Sequence, residues 1–138
     1  MSDYAPHIWF NSSIVPWEEA NTHVMSHVIH YGSGVFEGIK CYETSNGGAI
    51  FRLEDHIDRL FESASSYKME IVIPKHEIIK GCIDITNANS LKSCYIRPIV
   101  FYGYDTLGVD PKACPINIAI ASFQWGAYLG DEGVQNGV

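Results

Sequence analysis

Two arginines and a group of histidines carry chemistry that a hydrophobic core does not need: Arg59, Arg97, and His23, His27 and His30. A guanidinium presents a planar fork of N–H donors that matches a phosphate or a carboxylate. Arg59 falls off the apolar stripe of an expected helix, near His56 and Ser63. It reads either as a solvated arginine paired with Asp55 or Glu62, or as an anion clamp. Arg97 lies two residues from Tyr95 in a β-rich segment, so the two share a face, with Ile96 and Ile99 read to the other side. An arginine in so apolar a strand needs a partner. That partner is a buried acid, or a carboxylate ligand met by one charged fork and one tyrosine hydroxyl. The histidines stand at i, i+4 and i+7, a spacing that could hold zinc on a helix. Tyr31-Gly32 follows at once and no HExxH or nearby cysteine completes a site, so ordinary polar roles are expected.

The elements that would position these residues follow from pattern. HYGSGVFEGIKCY at 30–42 is a glycine-bent entry to a strand at 35–43, with aromatic bulk from Phe36 and Tyr42, and suits the wall of a small-molecule pocket. Val35, Ile39 and Cys41 are read as alternating with Glu37 and Lys40. Gly32-Ser33-Gly34 fails as a dinucleotide fingerprint, because Glu37 stands where a third glycine is required and a strand follows. Residues 8–10 and 14–16 read as strands around an Asn11-Ser12-Ser13 turn. Asn46-Gly47-Gly48 reads as a hairpin turn before a return strand at 49–52.

At 53–69 the period becomes helical, with Leu53, Ile57, Leu60, Phe61 and Ala64 on one stripe and Glu54 and Asp55 in the first turn. Pro74 opens a second helix from Lys75 to about Asn87, with Ile78, Ile79, Cys82, Ile83 and Ile85 apolar. A strand follows at 93–102, where Pro98 implies an edge position or a bulge. Residues 104–115 form a long loop, and 116–123 is a nearly continuous apolar strand, hence central. Strands, two helices, then strands make an α+β domain: a mainly antiparallel sheet with two helices packed on it.

Composition narrows the function. With 138 residues and 46% hydrophobic side chains the chain fits one domain with a core. A net charge of −7 argues against nucleic acid or an anionic membrane as partner. No apolar run reaches the roughly 20 residues of a membrane span. The N-terminus lacks a signal-peptide pattern, so a cytoplasmic location is expected. Cys41, Cys82, Cys94 and Cys114 have no CxxC pairing and read as buried thiols.

Several blocks together resemble a known family. IWFN (8–11), HVMSHVIHYGSGVFEGIKCY (23–42), FRLEDHIDRLFESA (51–64), YIRP (95–98), LGVDP (107–111) and FQWGAYLG (123–130) are similar, in order, to the small N-terminal domain of branched-chain amino acid aminotransferases. These belong to the fold-type IV group of pyridoxal-phosphate enzymes. The resemblance implies transamination between branched-chain amino acids (leucine, isoleucine, valine) and 2-oxoglutarate. Arg59 would bind the phosphate of pyridoxal phosphate. Phe36 would line the side-chain pocket, and Tyr95 would contact the α-carboxylate. Arg97 would hold the distal carboxylate of glutamate, with Tyr31 assisting and Tyr128 shaping the same pocket.

Leu107 and Val109 would reach into a neighbouring subunit's site, so a homo-oligomer is implied. Residues 1–125 would be the small domain and 126–138 the start of a linker. The reactive lysine would lie in a C-terminal domain beyond residue 138, because Lys40, Lys68, Lys75, Lys80, Lys92 and Lys112 match no such motif. The chain alone is therefore expected to be inactive. The alternative is a non-catalytic dimerisation or interaction fragment.

Overall fold

The chain enters its sheet through a hairpin. Strands β1 (His7–Phe10) and β2 (Ser13–Pro16) pair around Asn11 and Ser12, whose φ values of 45° and 71° give the left-handed two-residue turn that matches strand twist. The computed structural model describes residues 5–125 and residue 136. After a 3₁₀ turn (Trp17–Glu19) come a one-turn helix α1 (His27–Tyr31), strands β3 (Gly34–Phe36), β4 (Ile39–Thr44) and β5 (Gly47–Ile50), helices α2 (Leu53–Ser66) and α3 (Lys75–Ala88), and strands β6 (Cys94–Tyr102) and β7 (Ile116–Phe123). All seven strands form one antiparallel sheet in the order β2-β1-β7-β6-β4-β5, with β3 also paired to β6. The expected α+β architecture is present, with α1 and the 3₁₀ turn as small additions.

Pro98 lies in the interior strand β6, not at an edge. Its carbonyl accepts from the Glu37 N–H at 3.0 Å, so its missing N–H faces the same flank. That flank is where β3 ends and β4 begins. The strand expected at 35–43 is therefore broken at Glu37-Gly38, and the neighbour takes up the irregularity that proline imposes. The second hairpin turns at Ser45-Asn46, with Thr44 opposite Gly47, two residues earlier than the glycine pair suggested.

Helices α2 and α3 cover one face of the sheet. Ile57, Leu60 and Ala64 of α2 and Ile78, Cys82 and Ile85 of α3 are fully buried against Ile39, Cys41, Ile96, Val100 and Ile120. Leu53 and Phe61 flank this core, while Ile83 is 44% exposed. Asn89 ties the layers together: its amide oxygen accepts from the His7 N–H, and its nitrogen donates to the His7 carbonyl and Ser122 Oγ. The opposite face carries Tyr95, Arg97, Ile99 and Phe101. Ile99 thus shares the Arg97 face, as strand alternation requires. No helix among the described residues is long and apolar enough to cross a membrane.

Candidate functional site

The structure sorts the expected site residues into three neighbouring groups. The first is a cleft of about 510 Å³ lined by Phe36, Lys40, Tyr42, Tyr95, Arg97 and Trp125. Arg97 lies with its guanidinium 4.3 Å from the Phe36 ring centroid and 5.1 Å from that of Tyr95. One Nη donates to the Tyr95 hydroxyl at 2.9 Å. Its Nε is buried and has no hydrogen-bond partner among the described residues. No salt bridge to Arg97 is found among the described residues, so the buried-acid reading gives way to an arginine held by aromatic faces, with a donor to spare.

Gly38 makes this arrangement possible. A Cβ there would stand 2.1 Å from the Tyr95 hydroxyl and 2.9 Å from its ring carbon Cζ. The tyrosine crosses directly over the backbone at the β3–β4 break. Sequence reading did not single out Gly38. Its signal is a glycine between two strand-like runs, one residue past the position that faces Pro98.

The second group is built around Glu37, which was also missed. Val35, Glu37, Ile39 and Cys41 all point to the helix-covered face, so Glu37 belongs to the buried file and does not alternate with it. Only 4% of Glu37 is exposed. Arg59 donates from Nε and Nη2 to its two carboxylate oxygens at 2.6 and 2.7 Å, and His56 Nδ1 donates at 2.9 Å. Arg59 is thus paired across the fold, not with Asp55 or Glu62 on its own helix; Asp55 is taken by Arg52. Burial alone would raise the Glu37 carboxyl, but hydrogen bonds from Arg59 and His56 and their charges hold it below the usual carboxylate range. Arg59 and His56, with Phe51, Arg52 and Asp55, line a separate cleft of about 310 Å³. Two of the Arg59 nitrogens are anchored on Glu37, which orients an exposed cation. That donor set fits a phosphate group.

The third group joins α1 to the long loop. The Tyr31 hydroxyl donates to the Leu107 carbonyl at 2.9 Å, and Leu107 and Val109 are 46% and 79% exposed. His27 is buried within this group, whereas His30 and His23 lie toward the surface. Tyr128 lies outside the described residues, as does the expected linker apart from residue 136. Cys41, Cys82, Cys94 and Cys114 are buried free thiols, as expected.

Residues 34–136 match the family described as Amino-transferase class IV. The chain belongs to that family. It is 44% identical over 138 residues to a branched-chain-amino-acid aminotransferase of Pseudomonas aeruginosa, covering all of this chain and 45% of that protein. It is 44% identical over 135 residues to the Escherichia coli enzyme of the same name, covering 97% and 44%. Among solved structures, Escherichia coli branched-chain amino acid aminotransferase superposes with a TM-score of 0.90 at 45% identity, covering 94% of this chain and 43% of that one. The T.th. branched-chain amino acid aminotransferase complexed with N-(5'-phosphopyridoxyl)-L-glutamate superposes with a TM-score of 0.86 at 43% identity, covering 88% and 41%. This class IV aminotransferase chain therefore spans less than half the length of the relatives it matches. Its three groups of polar residues sit on a fold shared with them.

Proposed function

We propose that this chain is the substrate-shaping half of a pyridoxal-phosphate enzyme that moves amino groups between branched-chain amino acids and 2-oxoglutarate. The observation that carries the reading is the buried, unpartnered Nε of Arg97 in an aromatic cleft beside the Tyr95 hydroxyl. A cationic donor kept without an acid is costly unless a ligand supplies one. A distal carboxylate would pair with Arg97, while Tyr95 meets the α-carboxylate. An aliphatic side chain would rest on Phe36 and leave Arg97 stacked where it is. One cleft thus takes both substrate types.

Arg59, oriented by Glu37 and flanked by His56, would hold the cofactor's phosphate. Bound there, pyridoxal phosphate would supply the electron sink that amino-group transfer needs. Lys40 borders the substrate cleft and is assigned no bond to the cofactor. Tyr128 would help complete the pocket, and Tyr31, whose hydroxyl holds the Leu107 carbonyl, would enter it with Leu107 and Val109 from a second subunit. Residues 1–125 would form the small domain, with a linker from 126 and the reactive lysine on a separate domain. A cytoplasmic location fits this reading.

The test supplies the C-terminal half of a relative to the full chain and compares Arg97→Ala with the parent. Use of glutamate and 2-oxoglutarate should fall at least about tenfold more than use of leucine, because only the former lose a charged hydrogen bond. Equal loss for all substrates would overturn the assignment. So would a reassembled protein that binds pyridoxal phosphate yet forms no glutamate from leucine and 2-oxoglutarate. The exposed Val24, Ile29, Leu107 and Val109 favour a second reading, a non-catalytic dimerisation fragment, which predicts that same inactive outcome.

A further inference from the structure

We infer that His27 is a positioning residue: with Ser33 and Tyr31 it fixes the conformation of the 107–109 loop that presents Leu107 and Val109. The inference rests on the proposed reading of those two residues as substrate contacts, and goes beyond it by naming what holds them. His27 is 2% exposed although it sits on a one-turn helix at the surface of the fold. Both ring nitrogens are engaged. Nε2 lies 3.2 Å from the Gly108 carbonyl, and Nδ1 lies 2.7 Å from Ser33 Oγ. A carbonyl only accepts, so the bond to Gly108 places the proton on Nε2. In the neutral ring Nδ1 then accepts from the Ser33 hydroxyl.

Each support is itself anchored. The Ser33 carbonyl accepts from the Tyr102 N–H of β6 at 3.2 Å, and the His27 N–H donates to the Gly103 carbonyl at 2.9 Å. The imidazole stacks on Tyr31, with centroids 4.3 Å apart, and the Tyr31 hydroxyl reaches the Leu107 carbonyl. Gly32, at φ 62°, closes α1 in the left-handed conformation and turns the chain so that Ser33 comes back beneath the ring. Consecutive carbonyls of the loop, Leu107 and Gly108, are thereby tied to α1. Bonds inside the loop include the Gly108 N–H to Thr106 Oγ1 at 3.1 Å, the Lys112 N–H to Asp110 Oδ1 at 3.2 Å, the Cys114 N–H to the Pro111 carbonyl at 2.8 Å and a weak Cys114 Sγ contact to the Thr106 carbonyl at 3.6 Å; of these only the first touches 107–109. With Val109 so exposed, its direction is set by the bonds that precede it.

Amide hydrogen exchange on the full chain tests this. His27→Phe keeps a ring on Tyr31 but has no nitrogen, so amides of 106–110 should exchange about tenfold faster while those of β6 and β7 are unchanged. His27→Gln retains an N–H donor at the Nε2 end and should return loop exchange to within about threefold of the parent. Unchanged loop exchange in His27→Phe overturns the inference. Should that variant lose core protection as well, Ser33→Ala decides instead: faster loop exchange alone supports the inference and no change overturns it. In the enzyme reassembled with the C-terminal half of a relative, KM for amino-acid substrate should rise several-fold with kcat nearly constant. A loosened loop with an unmoved KM leaves His27 holding the loop but overturns the reading of Leu107 and Val109 as substrate contacts.

Discussion

Glu37 and Gly38 are adjacent and serve opposite faces of one strand break. Glu37 points into the helix-covered layer and gathers Arg59 and His56; Gly38 clears the space that Tyr95 needs on the substrate side. The carboxylate's lowered pKa fixes the sign of its pH dependence. Its contribution is fully present above the ordinary glutamate value of 4.5 and is lost as pH falls through the lowered folded value. Glu37→Gln is therefore expected to lower the melting temperature by about 5 °C at neutral pH. The gap between parent and variant should shrink as pH drops below 4.5, and melting curves at several pH values check it. Gly38→Ala has a different cause. The added Cβ displaces Tyr95 from Arg97, at a cost of about 2 kcal/mol from overpacking that denaturant unfolding would measure. A crystal structure of that variant should show the Tyr95 ring turned away.

At the scale of elements, α2 does two jobs with two faces. Its inner stripe anchors the sheet, and its edge carries His56 and Arg59 to Glu37. Leu60→Ala removes a fully buried side chain and should cost about 3 kcal/mol in urea unfolding. Ile83→Ala on α3, 44% exposed, should stay within about 0.5 kcal/mol. Helices α2 and α3 were legible because period and first-turn charge are local signals; the single turn of α1 was not, being too short to show a period. β7 was legible because an apolar run of that length has few places to go. The break at Glu37-Gly38 was not, because its cause lies on another strand: Pro98 withholds an N–H across the sheet. Arg59, Tyr95 and Arg97 were visible as chemistry, but their partners were not. An acid in register with Val35, Ile39 and Cys41 was the available sign that Glu37 is buried and paired. Nothing local marks His27 as the residue that meets Gly108, 81 positions away.

For the molecule as a whole, the cysteines offer a reading of how the layers open. Cys41 and Cys94 face each other across β4 and β6, Cys82 lies in α3, and Cys114 lies at the end of the long loop. Burial pushes the Cys82 thiol up to about 12 and, with Cys41 beside it, the Cys94 thiol up to about 11. Burial also raises Cys41. The thiolate is the reactive form, so none of these three should react with an alkylating agent in the folded protein at neutral pH. They share one core with the helices and the central strands. Pulsed alkylation read by mass spectrometry should therefore label Cys41, Cys82 and Cys94 together, at the rate of global opening. Cys114 packs against the same core but sits on the long loop, outside the sheet and helices, and should be labelled first. Labelling of Cys82 well before Cys41 and Cys94 would mean that α3 detaches from the sheet as a separate unit. The layer that orients Arg59 and the strand that carries Arg97 would then not share a single cooperative core.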